Sequence, residues 1–131
     1  MNLSVLYEDN HLLAIDKPAG LATMGRAPGE SSLHRLACQY LQRKYHKPGN
    51  VYLGVVMRLD ACASGVVLFA RTSKAAGRLS AQFRDRTVEK IYWAMVERSP
   101  NPLAGEFVDW VTKDEAERRM VVTRAGAPGA K

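Results

Sequence analysis

Short apolar runs separated by polar, glycine- and proline-bearing clusters dominate this chain, and only two segments carry a helical stripe. Residues 5–7 form a first strand-like run and residues 12–15 a second. The turn cluster Glu8-Asp9-Asn10 lies between them, so the three predict a hairpin. Lys17-Pro18-Ala19-Gly20 then reads as a loop, and residues 24–30 as another. Ser31 or Ser32 is placed to cap a helix. Within that helix Leu33, Leu36, Ala37, Tyr40 and Leu41 recur at i, i+3, i+4, i+7 and i+8, and Lys47-Pro48-Gly49-Asn50 ends it.

Residues 51–56 and 66–70 predict two strands around a polar loop at 58–65. Thr72 or Ser73 caps a second helix, with Ala75, Leu79 and Phe83 on one face. Residues 87–97 alternate as a strand does. Val88, Lys90, Tyr92, Ala94 and Val96 point one way; Glu89, Ile91, Trp93, Met95 and Glu97 point the other. After a break at 99–102, residues 107–111 and 120–123 predict a last hairpin joined through 113–119. Residues 124–131 hold no core-forming side chain, and the chain stops on a loop, which reads as a cut or a natural stop before further strands. The inventory predicts one α+β domain with a mostly antiparallel mixed sheet and two amphipathic helices.

Composition sharpens this picture in two places. Of 131 residues 47% are hydrophobic but only 8% aromatic, so the core must be mostly aliphatic. The net charge is +6, which suggests a polyanionic partner, nucleic acid first. Between positions 71 and 92 six basic residues (Arg71, Lys74, Arg78, Arg84, Arg86 and Lys90) face two acids, Asp85 and Glu89, a local balance of +4. Such a stretch suits phosphate contact, although a basic helix is often only a solvated face. Cys38 and Cys62 show no metal spacing, and the simple setting is reduced and cytoplasmic. The N-terminus lacks the pattern of a signal peptide, and no apolar run is long enough for a membrane span.

The chemistry-bearing candidate is Met57-Arg58-Leu59-Asp60-Ala61-Cys62-Ala63-Ser64-Gly65, a glycine-terminated loop between apolar strands. A carboxylate there can serve as base, nucleophile or metal ligand. It can equally be a loop aspartate that bonds its own backbone, with Arg58 as a surface partner. Cys62 as a nucleophile has no histidine near in sequence to activate it. Cys38 falls on the first helix as a packing residue, Trp93 and Trp110 read as core, and His11, His34 and His46 as surface or cap residues.

Arg58-Leu59-Asp60 with Ser64-Gly65, followed by an apolar strand and Arg71-Thr72-Ser73-Lys74, resembles the central motif of the RluA-like RNA pseudouridine synthases. Leu6-Tyr7-Glu8-Asp9-Asn10 and Lys17-Pro18-Ala19-Gly20-Leu21 look like that family's opening hairpin and loop. Phe83-Arg84 with Thr87, Lys90 and Tyr92 looks like its basic helix and following strand. Four motifs in order, over residues 5–123, make the resemblance specific. It implies the pseudouridine synthase fold and conversion of uridine in ribosomal or transfer RNA to pseudouridine, without metal or cofactor. In that reaction the N1–C1′ bond breaks, the uracil turns, and C5 bonds to C1′.

The resemblance makes Asp60 the catalytic carboxylate, as nucleophile or by electrostatics, and an ionised carboxylate suits either because positive character develops at C1′. A cationic neighbour should keep it charged. Tyr92 matches the family's active-site tyrosine, which stacks on an extruded uracil; on its own it also reads as a half-buried strand residue. Lys17 would touch RNA or support the Asp60 loop, and Arg58 would brace that loop or meet a phosphate. Arg71, Lys74, Arg78, Arg84, Arg86 and Lys90 are the candidates for RNA phosphates.

The chain departs from the family's pattern at Met57, where a histidine is usual, and at Ala63, where a threonine is usual. It also lacks the family's later Gly-Arg-x-His-Gln-Ile-Arg segment, whose arginine pairs with the catalytic aspartate. The expectation is therefore a partial catalytic domain over 1–131, monomeric, with no separate N-terminal RNA-binding domain, inactive alone and with an exposed apolar sheet edge. The alternative is a non-catalytic RNA-binding fragment or pseudoenzyme.

Overall fold

The computed structural model describes residues 3–25, 30–101, 103–117 and 119–130. Positions 26–29 of the expected loop, Pro102 of the expected break, Arg118 of the hairpin connection and Lys131 of the tail lie outside them. The chain divides into two compact units, Met1–Ile91 and Tyr92–Lys131.

The first unit opens with the expected hairpin, longer than the apolar runs alone suggested. β1 (Ser4–Glu8) pairs antiparallel with β2 (Leu12–Lys17). Asp9 closes the turn, its Oδ1 accepting the backbone N–H groups of His11 and Leu12 at 2.7 and 2.6 Å, the local bond that makes aspartate a turn former. β4 (Gly65–Ala70) lies antiparallel on the other edge of β2, from Leu12↔Ala70 to Lys17↔Gly65. β3 (Gly54–Val55) pairs antiparallel with β4, giving the order β1-β2-β4-β3.

Alternation along β2 puts Leu13, Ile15 and Lys17 on one face, all fully buried. Val67 and Phe69 of β4 continue that face. α1 (Leu33–Lys44) covers it with Leu33, Ala37 and Leu41, and Leu53 completes the cluster. Each such aliphatic or aromatic side chain contributes about 1.5–3 kcal/mol by leaving water. Ser32 caps α1 by accepting from the Arg35 N–H, and Thr72 caps α2 (Ser73–Arg84) by accepting from the Ala75 N–H. A Cβ added to Gly54 would meet Ala76 of α2 at 3.0 Å, so α2 approaches the sheet closely at β3.

The strand expected at 51–56 forms only at Gly54–Val55. Backbone groups before it turn to α1 instead: Val51 O accepts from the Cys38 thiol and Leu53 O from His34 Nε2. The strand expected at 87–97 does not form. All of its residues but the half-buried Val88 are exposed, Trp93 by 98%, and no described strand runs beside them.

In the second unit β5 (Trp110–Asp114) and β6 (Arg119–Thr123) pair antiparallel from Trp110↔Thr123 to Asp114↔Arg119. β5 starts three residues later than the hydrophobic run at 107–111 suggested. Asp114 Oδ1, accepting from the Ala116 and Glu117 N–H groups at 3.0 Å, sets the turn there. Trp93 and Trp110 are not core residues: both are exposed.

The first unit is tied together by a cluster around Glu8, whose side chain is only 8% exposed. Its carboxylate accepts from Lys44 Nζ at 2.8 Å, Tyr40 at 2.8 Å, Tyr45 and Arg71 Nη1 at 3.0 Å. Burial pushes the Glu8 carboxyl up, but the bonds from Lys44, Tyr45 and Tyr40 outweigh it and hold it at about 2. A carboxyl depressed on folding contributes stability that is full above its unfolded value, about 4.3, and fades as pH falls toward 2. The wild-type denaturant midpoint should therefore fall between about pH 4.5 and 2. Glu8→Gln should remove on the order of 2–3 kcal/mol of that dependence, read as the difference between the two proteins' urea midpoints across the window. Equal pH profiles for the two would show that the cluster contributes nothing on folding.

Candidate active site

Asp60 sits on the loop that links β3 to β4, and its side chain is exposed. The loop is a tight turn: the Ala63 N–H donates to Asp60 O at 3.2 Å. This turn uses backbone only, so alanine at 63 supplies it as well as threonine would. Gly65, with φ +136°, lets the chain leave the turn directly into β4.

Residues 17–23 hold this loop on both sides of Asp60. Lys17 Nζ donates to Pro18 O at 3.0 Å, to Leu21 O at 2.7 Å and to Ala61 O at 3.3 Å. The Gly20 N–H, aimed by a φ of +85°, donates to the same Ala61 carbonyl at 2.7 Å. On the other side the Thr23 hydroxyl donates to Leu59 O at 2.7 Å and accepts from the Leu59 N–H at 3.1 Å. The residues before and after Asp60 are thus fixed, while its carboxylate makes no hydrogen bond or ion pair among the described residues.

Lys17 is fully buried, and its ammonium is engaged by three carbonyls. Arg71 turns inward too: Nη1 bonds Glu8 and the Asp9 carbonyl, and the guanidinium lies 4.8 Å from the centroid of the Tyr45 ring. Arg58, Lys74, Arg78, Arg86 and Lys90 are exposed and form no ion pair among the described residues, whereas Arg84 lies 3.7 Å from Asp85. Lys74 and Arg78 stand four residues apart on α2, hence on one face. Tyr92 belongs to the second unit, on a segment without regular structure, and is 64% exposed. Thr23 is the residue that sequence reasoning missed. A threonine in a loop carries no signal of a bond made 36 positions away.

The RNA pseudouridylate synthase family pattern matches residues 11–129, a span that holds both clamped loops and α2. The chain belongs to this family. Its RluA-like character is borne out by two curated relatives. It is 40% identical over 92 residues to the ribosomal large subunit pseudouridine synthase C of Vibrio cholerae, covering 70% of this chain and 27% of that protein. It is 36% identical over 104 residues to the dual-specificity RNA pseudouridine synthase RluA of Escherichia coli strain K12, covering 79% of this chain and 44% of that one. The chain thus spans less than half the length of these synthases. Human RNA pseudouridylate synthase domain containing 4 shares the fold, with a TM-score of 0.76 at 24% identity over 98% of this chain and 50% of that chain. The expected α+β pseudouridine synthase fold is therefore present. Among the described residues no helix is long and apolar enough to cross a membrane, and no group of three or more His, Cys, Asp or Glu could hold a metal ion.

Proposed function

We propose that the full-length protein isomerises uridine to pseudouridine in structured ribosomal or transfer RNA, in the cytoplasm, with Asp60 as the catalytic carboxylate. One observation carries the reading: an exposed aspartate, unpaired among the described residues, stands between two residues whose backbones are clamped. A carboxylate so presented can approach C1′ of an extruded nucleotide while the base departs. Exposed Arg58, Lys74, Arg78, Arg84, Arg86 and Lys90 meet phosphates. Lys17 acts from inside the fold, as a support of the Asp60 loop.

The test is release of tritium from RNA carrying 5-tritiated uridine, since the C5 proton leaves when C5 bonds to C1′. The full-length gene product should release it, and the Asp60→Ala protein should not. Mapping the modified position then names the substrate.

A second reading, RNA binding without catalysis, is favoured by the lack of a cation on Asp60 among the described residues. It is separated by comparing the 131-residue chain with the full-length protein. The short chain should retain RNA in a filter-binding assay and release tritium at less than about a hundredth of the full-length rate, the loss that one missing charge-stabilising group typically causes. Comparable turnover by both would show that residues 1–131 already hold the whole catalytic apparatus. Retention of RNA with no release by either would establish the binding-only reading.

A further inference from the structure

Thr23 is 3% exposed, and its two ends are tied to different parts of the first unit. Its backbone joins the start of α1: the His34 N–H donates to Thr23 O at 3.1 Å, and beside it the Leu33 N–H donates to Ala22 O at 2.9 Å. These amides lie in the first turn of a helix, where no intrahelical acceptor exists for them. Leu33 is itself fully buried in the core, so Thr23 is anchored to the packed core of the unit. Its side chain then closes a reciprocal pair with both polar groups of the Leu59 backbone, at 2.7 and 3.1 Å. Leu59 precedes Asp60 directly and packs against the same core cluster. The path from the core through α1 and Thr23 to the peptide before the carboxylate runs through buried side chains and hydrogen bonds.

We propose that Thr23 is a positioning residue for the reaction, its hydroxyl fixing the Leu59 peptide and so aiming the Asp60 carboxylate. The proposal rests on Asp60 being the catalytic carboxylate. A hydroxyl is required because one side chain must donate to a carbonyl and accept from an amide at once. Serine can do this; valine, of nearly the same shape, can do neither. With valine, two backbone groups lose their partners and the loop gains freedom where geometry controls rate.

The experiment uses the full-length protein and the tritium-release assay. Thr23→Val should lower kcat by about 10- to 100-fold, the scale of a small misplacement of a reacting group, and leave KM for RNA within about twofold. Thr23→Ser should restore kcat to within about threefold of wild type. Leu41→Ala, a core change on α1, should lower thermal stability yet keep kcat when assayed well below its unfolding midpoint. Wild-type kcat in folded Thr23→Val, or an equal loss of kcat in Leu41→Ala, overturns the proposal. If Thr23→Val does not fold, amide exchange decides on the wild-type and Thr23→Ser proteins. A protected Leu59 N–H in both upholds the clamp, and exchange at the open-chain rate overturns it. Turnover that survives Asp60→Ala sinks the functional reading and this proposal with it, whereas loss in Asp60→Ala beside full activity in Thr23→Val sinks the proposal alone.

Discussion

Replacing Asp60 by asparagine in the full-length protein should reduce tritium release by at least about a thousandfold, because loss of a reacting group outweighs loss of any supporting contact. Asparagine keeps the size and planarity of the side chain. It cannot carry the negative charge that stabilises a developing positive sugar carbon, and it cannot attack that carbon as a carboxylate does. The turn does not depend on the side chain, since the Ala63 N–H bonds the backbone carbonyl of residue 60. The side chain is exposed and makes no bond among the described residues, so stability should change by no more than about 0.5 kcal/mol. RNA affinity should hold within a few-fold, because the phosphate contacts proposed above lie on other residues. Asp60→Ala, assayed in parallel, guards against activity regained when the introduced asparagine deamidates back to aspartate. A rate above a tenth of wild type in both variants would remove Asp60 from the reaction.

The first unit was largely legible because its signals are local. The 3.6-residue stripe of α1, its serine cap and the Asp9 turn are each read within a dozen positions. The segment at 87–97 fails for the opposite reason. Its alternation describes a strand, yet a strand exists only beside a partner that supplies the other half of the ladder. No described strand lies beside it, and apolar residues on both of its faces stay exposed. The start of β5 slipped for a smaller reason: Phe107 and Val108 have the right character, but the hydrogen bonds of Asp114 fix the hairpin further along.

The candidate site is legible in its proposed residue and not in the contacts that support it. Asp60 was marked by its loop and its motif. From sequence Arg71 reads as a phosphate contact because a basic residue beside a basic helix suggests one, and nothing near it in sequence points to Glu8, 63 positions earlier. Thr23 and Leu59 meet across 36 positions in the same way. Lys17 is the instructive case. Lysine is almost never fully buried, so composition argues for an exposed role. Period-two alternation from Leu13 and Ile15 nevertheless places Lys17 on the inner face of β2. The geometry of the strand won over the preference of the residue because three carbonyls wait at the end of that face.

Lys17→Met should therefore lower both stability and turnover while leaving RNA affinity unchanged. Methionine fills much of the buried volume but offers no donor. The carbonyls of Pro18 and Leu21 lose Nζ, while Ala61 O keeps the Gly20 N–H. Each orphaned acceptor costs about 1–3 kcal/mol, and relief of the buried charge offsets part of this. The net loss should be about 2 kcal/mol, seen as a drop of several degrees in the thermal midpoint. With one side of the Asp60 turn loosened, kcat should fall by about 10- to 100-fold. Lys17→Arg should not rescue either quantity, because a planar guanidinium cannot occupy a closed site shaped for a compact ammonium. A lysine that met RNA phosphates would behave differently. Its methionine variant would raise KM at unchanged stability and flatten the salt dependence of binding by about one charge, and arginine would replace it well. The pair of variants thus separates a support inside the fold from a contact at its surface, and a raised KM in Lys17→Met with a native thermal midpoint would overturn the assignment as a support.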